Sequence, residues 1–305
     1  MTLTGFAAQG ADQIYQSGPE TLAASSWAIA AGTITQYSKQ IKSSSGGTDP
    51  IPLTWTVTGR LKDPLQLKGE ASGNALAFSR DERSLFVPQD NSLPEWQLDY
   101  GDIEPGDSVV LFFQGDPASP NITVLPSGAD SRDLIDLLHR ILPVQSLEDP
   151  TLKMAAWLRL LEQHGSPDEV RKAALRSLIR ANAAWPKLAG ALEKVMAEPD
   201  PGVHTFVFGI VTFAEMNERF GDEQPQALDF LCRQFVSEKS PRIAMQYVLN
   251  IKLLLSYTSR KDEKERVPLQ RRISEALKQR RSQAPLTAEL AEQYKQIQAA
   301  YAGIL

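Results

Sequence analysis

Cysteine is almost missing from this chain: Cys232 is the only one among 305 residues. An internal disulfide is therefore excluded, and so is a zinc site built on several thiolates. Histidine is nearly as scarce. His139, His164 and His204 lie at least 25 residues apart, whereas a helical zinc site wants two histidines at i and i+4. No metal ligands and no cofactor are expected. No run of residues approaches the roughly 20 apolar positions that a membrane-spanning helix needs, so no integral membrane segment is expected. Met1 to Gly10 lacks a charged stretch followed by an apolar one, so no signal peptide is expected in the chain as it stands. A cytoplasmic location follows, or a periplasmic or secreted one if an upstream signal has been removed. Gly-x-x-x-x-Gly-Lys-Ser/Thr, Gly-x-Gly-x-x-Gly and Gly-x-Ser-x-Gly do not occur, which leaves phosphate-loop, dinucleotide and serine-hydrolase chemistry without support.

What is present is ordinary in bulk and uneven in distribution. Apolar residues make up 42% and charged residues 23%, as in a globular protein large enough for about two domains. The net charge of −5 combines an acidic first part with a near-neutral remainder. Residues 1–128 hold 7 Lys/Arg and 14 Asp/Glu, a net of −7, and residues 129–305 hold 25 and 23, a net of +2. No summed positive field favours nucleic acid as a partner. Arg260 to Arg281 carries nine basic and four acidic residues and reads as a solvated helix face, with an anionic docking strip as the alternative; no aromatic residues are interleaved in it, so a single-stranded nucleic-acid site lacks its stacking platform.

The periodicity changes near Gly128. Before it, short period-2 runs are separated by Gly, Pro, Ser and Asn. Pro19 to Ala24 reads as a short helix with proline in its first turn. Trp27 to Tyr37, Leu53 to Val57, Leu76 to Phe78, Leu85 to Val87, Ser108 to Phe113 and Asn121 to Leu125 read as strands, with Trp27, Ile29, Ala31 and Thr33 sharing one face. After Gly128, helices are expected at 131–142, 150–164, 167–181, 186–197, 203–218, 224–237, 241–257, 262–281 and 286–302. Their pairs start every 36–39 residues or so, a spacing typical of helical-hairpin repeats, with an irregular helical bundle as the alternative. Ser166, Pro167 and Glu169 fit an N-cap, a proline at N1 and a capping-box acid at N3.

Two stretches carry family resemblances. Asp168, Val170, Arg171, Ala174 and Leu178 form D-x-V-R-x-x-A-x-x-x-L, which resembles the second helix of a HEAT-type repeat. The resemblance implies that Arg171 serves packing between repeats by pairing with an acid. In the first part, "ASSWAIAAGTITQY", "TVTGRLKDP" and "PGDSVVLFF" resemble the netrin-like or TIMP-like OB barrel, where a V-x-G-x-V strand precedes an L-K-G turn and a G-D-x-x-L-x-F strand. Inhibition by TIMP-like members uses an N-terminal cysteine on the protease metal. None lies near the start of this chain, so that activity does not carry over.

These readings combine into a multidomain α and β protein. A small antiparallel OB/netrin-like β-barrel over 1–128 precedes an all-α HEAT-like right-handed superhelix over 129–305. The expected function is non-catalytic binding of a protein or peptide partner by the α-solenoid surface. Arg242, Gln246 and Asn250, at i, i+4 and i+8 on an otherwise apolar helix, would line a concave face or meet water, and Arg176 falls in a similar row one repeat earlier. Cys232 reads as a small buried hydrophobe. Trp55 reads as core and Trp96 as a loop residue. An enzyme with a site at the domain junction, near Asp130, Arg132 and Asp133, is one alternative, and a cell-envelope accessory protein is another.

Overall fold

The structure, a computed structural model, describes residues 18–42, 54–70, 77–83, 105–117, 121–127, 131–198, 201–259, 261–283 and 287–301. The strand expected at Leu85 to Val87, and Trp96 and Asp130, lie outside the described residues. So do the side chains of Trp55, Arg132 and Asp133. The chain divides into two compact units, residues 1–148 and 149–305. The division falls one helix later than the Gly128 boundary read from the sequence.

Among the described residues, the first unit is a five-stranded antiparallel sheet with two helices. Helix α1 (Pro19–Ser25) leads into β1 (Ser26–Lys42), followed by β2 (Thr54–Lys68), β3 (Ala77–Arg83), β4 (Ser108–Gln114), β5 (Asn121–Ser127) and helix α2 (Ser131–Gln145). The strand order is β3-β2-β1-β4-β5. The closed barrel expected from the sequence does not form: among the described residues, no ladder joins β3 to β5, although the two edges approach one another. Helix α2 packs on α1, β2, β4 and β5, and the Gln145 amide donates to the Glu20 carbonyl at 2.6 Å, which explains why α2 belongs to this unit.

Strand β1 departs from the alternation expected of it. Ala28, Ile29, Ala30 and Ala31 are all buried, while Thr33 is exposed. The cause is its central position, with β2 on one side and β4 on the other, together with register shifts that break the period of two. One shift lies where Ala31 pairs with Leu65 and Thr33 with Lys62, which leaves Asp63 and Pro64 bulged. Proline, lacking an N–H, is accommodated there, so β2 runs on past the point where the sequence suggested an end. Val109 to Phe113 of β4 are likewise all buried, as in a strand covered on both faces.

The second unit is helical. It contains α3 (Pro150–Glu162), α4 (Asp168–Arg180), α5 (Trp185–Met196), α6 (Pro201–Met216), α7 (Gln224–Ser237), α8 (Pro241–Thr258), α9 (Glu263–Gln283) and α10 (Ala288–Ala300). Proline in the first turn opens several of them, and side chains cap others. The Asp149 carboxylate accepts from the backbone of Thr151 at 2.7 Å, and the Thr287 hydroxyl from Leu290 at 3.2 Å. The capping box expected at Ser166 does not form. Gly165, at φ +68°, turns the chain so that Pro167 is the cap residue, and its carbonyl receives the Val170 and Arg171 amides. The Ser166 hydroxyl is buried without a partner.

Each of these helices packs on the next but one. Helices α3, α5, α7 and α9 form one row of neighbours, and α4, α6, α8 and α10 form a second. Successive helices pack on one another between the rows at α3–α4, α5–α6, α6–α7, α7–α8 and α8–α9. Aromatic side chains fill the layer between neighbours. The ring of Phe208 on α6 stacks on that of Tyr247 on α8 at 3.9 Å, and Trp185 meets Phe220 and Phe230 edge-on at 4.9 and 5.6 Å. Such pairs add about 0.5–1.5 kcal/mol each beyond their buried area.

Candidate interaction face

The second row places the four residues singled out from the sequence. Arg242, Gln246 and Asn250 share α8. Arg242 and Gln246 are exposed and Asn250 is half-buried, so this is the row of α8 that meets water. The Asn250 amide donates to the Gln246 carbonyl one turn earlier at 3.0 Å, and its oxygen lies over Gly209 of α6, where a Cβ would sit 3.8 Å away. Arg176 stands apart from them on α4. It is buried, and its guanidinium lies 5.5 Å from the centre of the Phe206 ring on α6. Lys172, one turn before it, lies 5.8 Å from the same ring and pairs with Glu169 at 2.7 Å. Two cations at i and i+4 thus tie α4 to α6 through one aromatic face.

Leu249 and Leu253, which the sequence reading did not single out, stand on α8 beside the polar row, each 39% exposed. Beyond them Lys252 bridges to α10, donating to the side-chain oxygens of Gln293 at 2.8 Å and Gln296 at 2.9 Å. The open edge of the second row therefore combines two exposed leucines with a group of side-chain amides. Their periodicity gave a signal, since 249 and 253 extend the apolar positions of α8 beyond the face that its neighbours cover. The chemistry available here is recognition: apolar contact plus side-chain amides that both donate and accept.

Polar groups lie inside the unit as well. Arg171 is buried and its guanidinium donates to the Gln163 carbonyl at 2.9 Å and to the Glu198 carboxylate at 2.7 Å. His164 reaches the other Glu198 oxygen at 3.1 Å. Desolvation tends to raise the Glu198 pKa, but the bonds from Arg171 and His164 outweigh it and hold the carboxyl below its ordinary value. The link after α3 and the link after α5 are thereby clamped by one arginine, the pairing with an acid that the resemblance implied.

Helix α6 buries Thr212 and Glu215, and neither the Thr212 hydroxyl nor one Glu215 oxygen has a hydrogen-bond partner. Burial pushes the Glu215 carboxyl up to about 8, with Lys261 opposing and Glu218 adding to the rise. Glu218 itself is held low, first by its bond from Lys261 at 2.7 Å and then by the Tyr257 hydroxyl at 2.9 Å. Cys232 is half-buried rather than enclosed as the sequence suggested, and burial, with Asp229 adding, pushes its thiol up to about 12, so it stays protonated at neutral pH. His139 and His164 are exposed and His204 is half-buried. Among the described residues no group of three His, Cys, Asp or Glu side chains is placed to hold a metal ion, and no helix is long and apolar enough to cross a membrane. No family model matches the chain, and no curated protein or solved structure matches it either.

Proposed function

We propose that the chain is a non-catalytic scaffold whose helical unit is a HEAT-like α-solenoid that presents the edge of its second row to a protein or peptide partner. The observation that carries the reading is the neighbour pattern. A chain in which every helix packs on the next but one, in two rows, extends in one direction and keeps one long edge of each row open. On the second row that edge carries Leu249 and Leu253 among Gln246, Asn250, Gln293 and Gln296. Apolar anchors surrounded by amide donors and acceptors suit an interface in which a few residues carry the affinity. The Arg171–Glu198 clamp between consecutive hairpins supports the repeat reading. The first unit is proposed as a partly open, OB-like sheet of the netrin-like kind, supported by its strand order and by the helix at each end of the sheet.

The test is affinity capture from a lysate of the native source with the intact chain as bait, beside a Gln246→Ala/Leu249→Ser/Leu253→Ser variant. These side chains are solvent-facing, so the variant is expected to keep the circular dichroism of the parent. A saturable partner held by the parent and lost by the variant is the expected result. A partner bound equally by both would move the interface elsewhere, and capture of none would end the scaffold reading.

A further inference from the structure

Helices α6 and α8, neighbours in the second row, carry two matched stripes. On α6, Phe206, Gly209, Phe213 and Met216 follow one another at steps of three, four and three residues, and all four are half-buried. On α8, Arg242, Gln246, Leu249 and Leu253 run at steps of four, three and four, and all are exposed. Such steps keep side chains on one face of a helix. The two stripes adjoin. Phe208 and Tyr247, stacked at 3.9 Å, hold the helices side by side. Beyond its chain neighbours, a Cβ on Gly209 would meet one atom among the described residues, the Asn250 oxygen at 3.8 Å, an ordinary contact. With no side chain at Gly209, a depression lies between Phe206 and Phe213, beside Asn250 of α8.

The charges bordering this face are mostly of one sign. Neither α6 nor α8 has an exposed acid. Arg242 and Lys252 are the charged residues of α8, and Lys252 meets the neutral amides of Gln293 and Gln296. On the α4 side, Arg176 and Lys172 lie 5.5 and 5.8 Å from the centre of the Phe206 ring. Acids occur on the flanking helices. Helix α4 has Asp168 and Glu169, the latter paired with Lys172, and α10 has Glu289 and Glu292. Glu218, past the end of α6, is taken up by Lys261 and Tyr257.

A partner suited to this face brings apolar side chains to the leucines and phenylalanines, and acids to Arg242 and Lys252. The spacing selects its backbone. Steps of three and four residues along α6 and α8 are about 5 Å long, which a third helix matches with its own i, i+3, i+4, i+7 stripe. Same-face residues of an extended strand are about 7 Å apart and fall out of step.

We propose that the outer face of α6 and α8 binds an acidic amphipathic helix of a partner protein. Its apolar stripe lies over Gly209, Phe213, Leu249 and Leu253, and its acids meet Arg242 and Lys252. The inference rests on the reading of the second-row edge as an interaction surface, and adds to it α6 and the chemistry of the partner.

The experiment is selection on the intact chain from a displayed random library of peptides about 16 residues long, roughly four helical turns, followed by anisotropy titration of the enriched peptides. Enriched sequences should carry apolar residues at i, i+3 or i+4, and i+7, with an excess of Asp and Glu, and should bind more weakly as salt rises. Gly209→Met, which fills the depression, and Leu253→Glu should each weaken binding roughly tenfold or more, and Arg242→Glu should weaken it several-fold and flatten the salt dependence. Leu152→Ser, at an exposed leucine of α3 in the first row, should leave binding unchanged. All four variants are expected to keep the circular dichroism of the parent; should Gly209→Met fail to fold, Leu253→Glu decides. No enrichment overturns the proposal, and so does enrichment of basic peptides or of peptides without helical spacing. Binding untouched by Gly209→Met and Leu253→Glu, or weakened as much by Leu152→Ser, also overturns it, as does binding indifferent to both Arg242→Glu and salt. A negative selection beside a lysate partner that the Gln246→Ala/Leu249→Ser/Leu253→Ser variant loses would overturn the acidic helix and leave the scaffold reading standing; failure of both experiments would end both.

Discussion

Glu215 should make the stability of the helical unit fall as pH rises across a range where exposed carboxylates have already finished titrating. The carboxyl lies inside α6 with one oxygen unpartnered, and burial lifts its pKa from 4.5 to about 8. In the unfolded chain the group releases its proton near 4.5, whereas in the folded chain it must keep it. The folded state therefore binds more protons between these values. The contribution of this group is fully present below pH 4.5 and is lost as pH rises through about 8. Each pH unit in that interval costs about 1.4 kcal/mol, which amounts to about 3 kcal/mol at pH 7 and about 5 kcal/mol above pH 8. Glu215→Gln keeps the shape and removes the titration. Urea unfolding of both chains, followed by far-ultraviolet circular dichroism, measures the consequence. The variant should gain about 3 kcal/mol on the parent between pH 4.5 and pH 7. Taking the change in the difference cancels Glu218 and Lys261, which titrate in both proteins. Parallel stability curves for parent and variant over this range would refute the reasoning.

Other side chains give sharper contrasts. Glu198→Ala leaves the buried Arg171 without its carboxylate and is expected to cost about 2–3 kcal/mol, whereas Glu162→Ala, which breaks only the solvent-exposed pair with Lys194, should cost less than about 1 kcal/mol in the same denaturation assay. The Tyr247 hydroxyl is buried and unpartnered, so Tyr247→Phe should leave stability unchanged or raise it, while Tyr247→Ala, which also removes the stack on Phe208, should lose about 3–5 kcal/mol. A large loss in the phenylalanine variant would mean that the hydroxyl has a partner after all. Gly69 sits at φ +61°, where a Cβ would collide with the Trp27 carbonyl, so Gly69→Ala should lower stability by more than about 1 kcal/mol, read as a fall in melting temperature. The Cys232 thiol, pushed up to about 12, should resist alkylation at neutral pH until the chain is unfolded.

The helical unit was the more legible part of the sequence, for a local reason. Its helices begin at prolines and cap residues such as Asp149–Pro150, Ser240–Pro241 and Thr287, which act through bonds two or three residues away. Arg171 was legible too, because its motif lies within one helix, although its partner Glu198 lies 27 residues further on. The sheet was less so. The length of β1, its register shifts and the bulge at Pro64 arise from pairing with β2 and β4, and no window of sequence contains both partners.

The buried polar groups show where one-dimensional reading fails and where it had a signal that went unused. Glu215 stands near the end of α6 and reads as a surface acid, yet that helix carries apolar residues around most of its circumference: Val203, Phe206, Val207, Phe208, Ile210, Val211 and Phe213. A helix that is apolar on all sides must be enclosed, and α6 is enclosed, with α4 and α8 beside it in its own row and α5 and α7 across from it. Any polar residue on such a helix is then a candidate for burial, which would have pointed to Thr212 and Glu215. Arg280 offered no comparable cue. It follows Gln279 and precedes Arg281 in a strongly charged helix, where the solvated reading is the natural one. It is buried in a helix that packs on α7 and α8, neighbours distant in sequence. The Arg171–Glu198 pair announces itself in a local pattern, whereas the burial of Arg280 emerges only once the helices are packed.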